Sequence, residues 1–260
     1  MSAPGWTRTN DLRIRSPLLY PAELQGRARE SWQVGRLADS GSVRGQMDDP
    51  FRMYLVVRRG AFEELETGCV LAGEAAVRCL RRFGEEPEWA EAIAGWKVRP
   101  GKVTLRARGG QWDAVLRTED FSSAGDLDGA SVLALPPRRR SERSETLVKL
   151  QAMASELEPL TEVTEIQAED GVLTYVVNPG IEMSTGKTMA QVAHAATMSA
   201  ATGRVEAWVE AGSPARVVRP KDKKLFKQLC ERDDLTAKVE DAGLTEVPPG
   251  TITVLAIPPK

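Results

Sequence analysis

The sequence predicts an α/β protein in which a small mixed β-sheet flanked by helices occurs as two tandem copies that form a pseudo-dimer. Short β-rich apolar runs alternate with longer runs of helical periodicity, which is the pattern of α/β folds. Segments of the first half also recur, in the same order, in the second half. The apolar fraction of 42% and the charged fraction of 28% are those of an ordinary soluble protein.

The second half shows the alternation most clearly. Its apolar, turn-bounded runs predict strands and its amphipathic runs predict helices. In chain order we expect strand 172–178, helix 184–202, strand 215–219, helix 222–232, strand 236–240 and strand 251–257. Asp222 is placed to cap the second helix. The first helix has a narrow face of small residues, among them Ala193 and Ala196, that can pack closely on a sheet.

The first half contains related segments. Residues 54–57 parallel 174–177, residues 68–76 parallel 186–194, and residues 131–137 parallel 253–259. The polar groups differ between the copies, because Cys69 stands in place of Lys187, Ala76 in place of His194 and Ser123 in place of Asp241. We interpret the halves as a tandem duplication whose first copy is degenerate. Two unrelated α/β segments are the alternative.

These comparisons divide most of the chain into three parts. Residues 47–137 form the degenerate domain, residues 138–170 a linker with a helix, and residues 171–260 the second domain. The linker begins with a proline-led stretch of mixed charge at residues 136–145. Its helix is predicted from apolar residues that recur at helical spacing, namely Leu147, Leu150, Met153 and Leu157.

Residues 1–46 have a different character. Trp6–Thr9 and Tyr20–Leu24 resemble the product of a tRNA gene translated on its opposite strand. One interpretation is a misplaced start, with synthesis beginning at Met47 or Met53. A natural disordered tail is the other.

Composition excludes several functional classes. The net charge of −2 argues against a bulk polyanion binder. The three cysteines form no Cys-x-x-Cys pair and are expected to be buried thiols, and the single histidine excludes a multi-histidine metal centre. No apolar run reaches the roughly 18 residues that span a bilayer. We expect a cytoplasmic protein with no metal, no cofactor and no membrane partner.

One segment carries most of the chemical information. A β-rich run ends at Pro179-Gly180, and a Ser-Thr-Gly-Lys step ending at Lys187 then opens a helix. A lysine at the positive end of a helix gains most when an anion or a developing oxyanion arrives. A solvated lysine is the alternative. The segment is not a nucleotide-binding P-loop, because the first glycine of that motif would fall at Ile181.

Two motifs resemble the archaeal and eukaryotic type of peptidyl-tRNA hydrolase. The pattern Met-x-x-Gly-Lys-x-x-x-Gln-x-x-His-Ala occupies residues 183–195. The pattern Asp-Ala-Gly-x-Thr, followed by Pro-Gly and an apolar strand, occupies residues 241–257. The resemblance covers residues 171–259. The sequence departs from the family pattern at Leu244, at Glu246 and at Pro258-Pro259, where members often carry Arg or His, Gln, and Gly-Pro.

The resemblance implies an ester hydrolase that needs no metal or organic cofactor. It assigns the catalytic roles to Lys187, Asp241 and Thr245. Lys187 would stabilise the carbonyl oxygen, Asp241 would orient or deprotonate water, and Thr245 would position water or substrate. For Asp241, capping of a turn is the alternative. Because the family is usually a homodimer, a fused pair would be a monomeric pseudo-dimer.

Three further residues of the helix motif are candidates for substrate contact or for a structural role: Gly186, Gln191 and His194. His194 lies two helical turns after Lys187 and therefore on nearly the same face. A lone helical histidine is also commonly a satisfied structural group. The sequence leaves this choice open.

A cluster of basic residues surrounds the predicted strand 215–219 and the helix that follows. Its members are Arg216, Arg219, Lys221, Lys223 and Lys224. For a tRNA enzyme these are candidate phosphate contacts, with an affinity that falls steeply with salt. A solvated charged face is the alternative.

The predicted function is hydrolysis of the ester between a peptide and the 3′ ribose of tRNA, which recycles the tRNA. Peptidyl-tRNA would be the substrate. A catalytically weakened homologue that binds tRNA or protein is the alternative, and the presence of Lys187, Asp241 and Thr245 argues against it.

Overall fold

The computed structural model describes residues 49–124 and 131–260. The predictions for residues 1–46 and for a start at Met47 lie outside the described residues, whereas Met53 lies inside the first strand.

Two series of elements follow one another along the chain. The first is β1 Arg52–Arg58, α1 Leu65–Phe83, α2 Ala90–Val98, β2 Gly101–Ala107, α3 Gly109–Thr118, β3 Ser122–Ser123 and β4 Val132–Arg138. A connecting segment holds α4 Glu145–Val148, β5 Gln151–Ala152 and β6 Glu162–Val163. The second is β7 Leu173–Val177, α5 Thr185–Ala201, α6 Glu206–Glu210, β8 Ala215–Pro220, α7 Lys223–Cys230, β9 Ala237–Asp241 and β10 Thr251–Ile257. No helix within the described ranges is long and apolar enough to cross a bilayer.

The strands form two five-stranded mixed sheets with the same internal order. The first sheet runs β3-β4-β1-β2-β5 and the second runs β9-β10-β7-β8-β6. In the first, β1 pairs parallel with β2 and antiparallel with β4, which pairs antiparallel with β3. In the second, β7, β8, β10 and β9 repeat these directions. The predicted α/β class, with mixed sheets flanked by helices, is confirmed.

Side chains from alternate positions of each strand enter different layers of the core. Leu55 of β1 and Tyr175 of β7 face a central core that also contains α1 and α5. Their neighbour Val56 faces an outer layer with Trp112 of α3, and Val176 faces a second outer layer with α7. The two sheets therefore share one central core, and each has a helix on its other side.

The helices α1 and α5 pack against each other in this central core. Glycine at position 73 permits the close approach, because a Cβ atom there would lie 3.3 Å from the Cβ of Ala196. The small-residue face of α5 was predicted to pack on a sheet. It does contact β9 and β10, and α1 covers part of it as well.

The prediction of a helix from Leu147 to Leu157 is wrong. Only α4, Glu145–Val148, is helical there, and Gln151–Ala152 then adds to the edge of β2 as strand β5. Leu147, Leu150 and Met153 are buried, but they serve different layers: Leu150 faces an outer layer and Met153 the central core. The physical reason is the open edge of β2, whose backbone groups gain partners from an added strand.

The proline-led stretch 136–145 has the composition of a linker, and its two prolines also end the segment 131–137 that parallels residues 253–259. Pro136 and Pro137 are buried in β4, which continues to Arg138. Arg138 forms an ion pair with Glu119 at 2.6 Å, and both side chains are largely buried. The prolines are tolerated because strand ends do not need every backbone N–H.

The prediction that the cysteines are buried thiols is confirmed for two of the three residues. Cys69 and Cys79 are buried in α1, and burial raises the pKa of both thiols well above the usual range. Cys230, at the end of α7, is only partly buried. All three are free thiols.

Candidate active site

The turn between β7 and α5 is fixed by one asparagine side chain. Asn178 Nδ2 donates to the carbonyl of Ile252 at 2.7 Å, and its Oδ1 accepts from the N–H of Gly180 at 2.7 Å. The turn is thereby attached to β10. The chain then enters α5, where the Oγ of Ser184 caps the helix by accepting from the N–H of Lys187.

Glu246 attaches the loop between β9 and β10 to the start of α5. Its carboxylate accepts from both the N–H and the Oγ of Ser184, each at 2.7 Å. A negative charge is favourable at this end of a helix. The departure from the family pattern at this position thus has a structural role: it holds the loop that carries Asp241 and Thr245 against the helix that carries Lys187.

The first turn of α5 also rests on the first half and the connecting segment. Thr104 of β2 donates through Oγ1 to the carbonyl of Gly186 at 2.9 Å, and this contact is buried. Thr185 donates through Oγ1 to the carbonyl of Ser155 at 2.7 Å. A Cβ at position 186 would lie 2.5 Å from the carbonyl oxygen of Met153, so only glycine fits there.

Lys187, Asp241 and Thr245 meet at the start of α5. The Nζ of Lys187 donates to Asp241 Oδ2 at 2.5 Å and to Thr245 Oγ1 at 3.0 Å. The side chains of Lys187 and Asp241 are 13% and 7% exposed, whereas Thr245 lies at the surface. The two sequence motifs therefore form one cluster with an open side.

Gln191 lies one turn below Lys187 and links the cluster to the sheet. Its Nε2 donates to Asp241 Oδ2 at 2.6 Å, and its Oε1 accepts from Thr253 Oγ1 at 3.0 Å. All three residues of this chain are buried. Sequence analysis missed Thr253, although a threonine inside the apolar strand 251–257 is the signal that could have revealed it.

Gly243 shapes the loop after Asp241. Its φ is +74°, and a Cβ there would lie 2.5 Å from Pro249. In this conformation its N–H donates to Asp241 Oδ1 at 2.8 Å. The turn-capping role considered for Asp241 is thus real, and the same carboxylate also binds Lys187.

The hydrogen-bond inventory of the cluster leaves some capacity unused. A lysine ammonium has three N–H donors, and Lys187 directs two of them to Asp241 and Thr245. A carboxylate has about four acceptor positions, and Asp241 uses three, for Lys187, Gln191 and Gly243. The arrangement can therefore donate to one carbonyl oxygen and accept from one water molecule. Within the described ranges, no group of three or more His, Cys, Asp or Glu side chains is arranged to hold a metal ion.

His194 lies on α5, where the charges of both Lys187 and Lys102 act on it. Burial is the main cause that lowers its pKa well below 6.5, and the charges of Lys102 and Lys187 lower it further. Lys102 comes from β2 in the first half, where its Nζ donates to Thr197 Oγ1 at 3.2 Å and lies 4.5 Å from the centre of the Trp96 ring. His194 is thus held in its neutral form.

The five basic residues proposed for phosphate contact fall into two places. Arg216 forms an ion pair with Glu169 and donates to Thr174 Oγ1 at 3.0 Å, at the start of β8. The other four, Arg219, Lys221, Lys223 and Lys224, lie at the end of β8 and the start of α7. Arg219 donates to the carbonyl of Pro179 at 3.2 Å, which places this second group beside the turn that leads into α5.

The fold and the site define a two-sheet α/β protein with a lysine, carboxylate and hydroxyl cluster at a helix start. The family model described as Peptidyl-tRNA hydrolase PTH2 matches residues 172–260. The peptidyl-tRNA hydrolase of Thermococcus onnurineus is 38% identical over 94 residues, which cover 32% of this chain and 80% of the relative. The chain belongs to the peptidyl-tRNA hydrolase family, and the matched region is its second half.

Other relatives give the same result. The peptidyl-tRNA hydrolase of Thermococcus sibiricus is 37% identical over 94 residues, covering 32% of this chain and 80% of the relative. The peptidyl-tRNA hydrolase of Methanopyrus kandleri is 37% identical over 97 residues, which cover 33% of this chain and 81% of the relative. No solved structure matches the chain significantly.

Proposed function

We propose that the protein hydrolyses the ester bond between the peptide and the 3′ ribose of peptidyl-tRNA, and so recycles the tRNA. The observation that supports this proposal most directly is that the Nζ of Lys187 lies within hydrogen-bond distance of both Asp241 and Thr245. All three lie inside the region that matches the family model. Because the substrate is a product of translation, we also propose a cytoplasmic location.

In the proposed reaction, a water molecule bound to Asp241 attacks the ester carbonyl carbon and gives up its proton to the carboxylate. Lys187 donates a hydrogen bond to the carbonyl oxygen as negative charge develops there. The bond between the carbonyl carbon and the ribose oxygen then breaks, and the proton passes to that oxygen. Thr245 positions the water or the substrate at the open side of the cluster.

Gln191 and Gly243 have positioning roles in this scheme. Their hydrogen bonds fix the two oxygens of Asp241, so that the remaining acceptor position has a defined direction. Arg219, Lys221, Lys223 and Lys224 are proposed to contact tRNA phosphates beside the site. Arg216 could join them only by exchanging its present partners, which include Glu169.

We further propose that the two halves are a tandem duplication and that the first is degenerate. The identical strand order of the two sheets supports this, as do the matching pairing directions of four of the five strands. The edge strands differ, because β5 pairs antiparallel with β2 whereas β6 pairs parallel with β8. Cys69, which replaces Lys187, is buried in the core. On this proposal the chain is a monomeric pseudo-dimer with its one site in the second half.

The test is release of N-acetyl-amino acid from N-acetyl-aminoacyl-tRNA. We expect wild-type turnover, a loss of roughly 100- to 1,000-fold in kcat for Lys187→Ala, which removes the oxyanion donor, and a loss of roughly 100-fold or more for Asp241→Asn, which removes the base. Both variants should retain tRNA binding.

Two surface variants serve as controls, because they make the same types of substitution, Lys to Ala and Asp to Asn, away from the site. Lys97→Ala and Asp233→Asn alter exposed residues outside the cluster, and their turnover should equal that of the wild type. Wild-type protein that binds tRNA but releases no amino acid would instead support the weakened, binding-only homologue. Full activity in Lys187→Ala would refute the proposed roles.

A further inference from the structure

We propose that a pocket formed by the first half and the connecting segment binds phosphate groups of the tRNA backbone, so that the degenerate copy supplies part of the substrate-binding surface. This inference rests on the proposed function. The pocket measures about 390 Å³, and we call it the first-half basic pocket. Its lining residues are Arg106, Arg108, Gly110, Gln111, Lys149 and Gln151.

The charge of this pocket is one-sided. Three of its lining residues are cationic and none is acidic. One of the three, Lys149, forms an ion pair with Glu145 at 3.8 Å, in which both side chains are largely exposed. Such exposed pairs contribute little and yield readily to a stronger anion. The pocket therefore favours a ligand with several negative charges.

Arg106 has unused donor capacity in this pocket. Its Nη1 donates to Ser155 Oγ at 3.3 Å and its Nη2 to Gln151 Oε1 at 3.2 Å, and both acceptors are neutral. Each Nη nitrogen keeps a second N–H for a ligand, whereas the Nε, which has no hydrogen-bond partner among the described residues, is buried and is reached by a ligand only if the side chain shifts. A guanidinium held by neutral acceptors keeps its full charge for a phosphate, which it can bind through two parallel hydrogen bonds.

The pocket lies next to the catalytic turn. Ser155, which accepts from Arg106 through Oγ, also accepts through its carbonyl from Thr185 Oγ1 at 2.7 Å. Thr185 is the first residue of α5, two positions before Lys187. A tRNA whose 3′ end occupies the site can therefore extend over the pocket from the same end of the helix.

The second half has a basic group at the equivalent place. Val56 pairs with Leu105 in the first sheet, and Arg106 is the next residue of that strand. Val176 pairs with Val218 in the second sheet, and Arg219 is the next residue there. Both strand ends are thus basic and both adjoin the start of α5, one through Ser155 and the other through Pro179. The first copy lacks the catalytic lysine but retains this feature.

The test compares tRNA binding and turnover in pocket variants of the whole chain. Arg108→Glu/Lys149→Glu changes two exposed residues and should fold normally. Arg106→Met removes the half-buried guanidinium. We expect the affinity for deacylated tRNA to fall about tenfold or more at low salt. The slope of log affinity against log salt should decrease by about 1 for each phosphate that the variant no longer binds. Hydrolysis of 3′-(N-acetyl-aminoacyl)-adenosine, which has no backbone phosphates, should not change.

The matched control is Arg81→Glu/Lys97→Glu, which makes the same change in net charge on exposed residues of α1 and α2. Unchanged tRNA affinity and salt dependence in both pocket variants would overturn the proposal. So would an equal loss in the control, because the effect would then be one of net charge. Absence of wild-type turnover with these binding effects intact would refute the proposed hydrolase function and leave the phosphate site standing.

Discussion

Asp241 is the residue on which the site depends. It joins Lys187 and Gln191 of α5 to the backbone of its own loop through Gly243. Since the paired lysine and aspartate side chains are largely buried, loss of either charge leaves the other without its partner. The same contact therefore fixes the position of the loop and, in the proposed mechanism, also serves the chemistry.

His194 is the only histidine in the sequence, so its ionisation can be observed without interference. Its pKa lies well below 6.5 because the imidazole, in a partly buried residue, loses hydration in the folded protein and because Lys102 and Lys187 disfavour a third positive charge. In the unfolded chain the imidazole is protonated near its ordinary pKa. Protonation on acidification therefore favours the unfolded state, and this contribution to stability is lost as the pH falls below the ordinary value.

We predict that the imidazole NMR signals of His194 show no titration around the unperturbed pKa of roughly 6.5. We also predict that His194→Gln loses less free energy of unfolding than the wild type between about pH 7.5 and about pH 5.5, a window that brackets this pKa. Urea denaturation at both pH values measures the difference. A histidine that titrates near its ordinary pKa would contradict the description of this site.

At the scale of the element, the first turn of α5 is the critical structure. Its start is capped by Ser184, held by Glu246 and supported by Thr104 through the carbonyl of Gly186. These contacts come from the second half and from the first. The position of Lys187 is therefore determined by both halves, although only one of them matches the family model.

We predict that Gly186→Ala displaces this turn. The added Cβ would lie 2.5 Å from the backbone oxygen of Met153, which cannot rotate away. Overpacking of this kind costs about 1 to 3 kcal/mol of unfolding free energy, and a displacement of Lys187 by about 1 Å costs roughly 100-fold in kcat. Chemical denaturation and single-turnover hydrolysis measure the two effects.

Gly95→Ala is the matched control for this prediction. Its Cβ would also meet a close neighbour, the ring of Phe51 at 2.7 Å, but it lies on α2 away from the cluster. It should reduce stability while leaving kcat unchanged. If Gly186→Ala kept full activity, the close contact with Met153 would not be what positions the catalytic turn.

At the scale of the whole molecule, the two halves share one central core around α1 and α5. The face of α5 that small residues form is covered by α1 from the same chain. We predict that the protein is a monomer, with a mass close to 28.4 kDa for the full chain. Size-exclusion chromatography with light scattering gives this mass directly, and twice this value at micromolar concentration would contradict the pseudo-dimer.

Local sequence patterns predicted most of the strands and helices of the second half. Its strands and helices have strong periodicity and clear boundaries, such as the Asp222 cap whose Oδ1 accepts from the N–H of Leu225 at 2.8 Å. The helix predicted from Leu147 to Leu157 failed because the same apolar spacing also suits a segment that crosses a sheet edge and sends side chains into two layers. Periodicity does not distinguish these cases.

The sequence by itself determined the α/β class, the family and the identity of Lys187, Asp241 and Thr245 as a candidate site, because these follow from residue types at fixed spacing. Only the tertiary structure showed the contacts of Thr253, Glu246 and Thr104, and the basic pocket around Arg106. These residues come from strands and loops far apart in the chain. Which of them meet depends on sheet order and on the packing of α1 against α5, which no local pattern encodes.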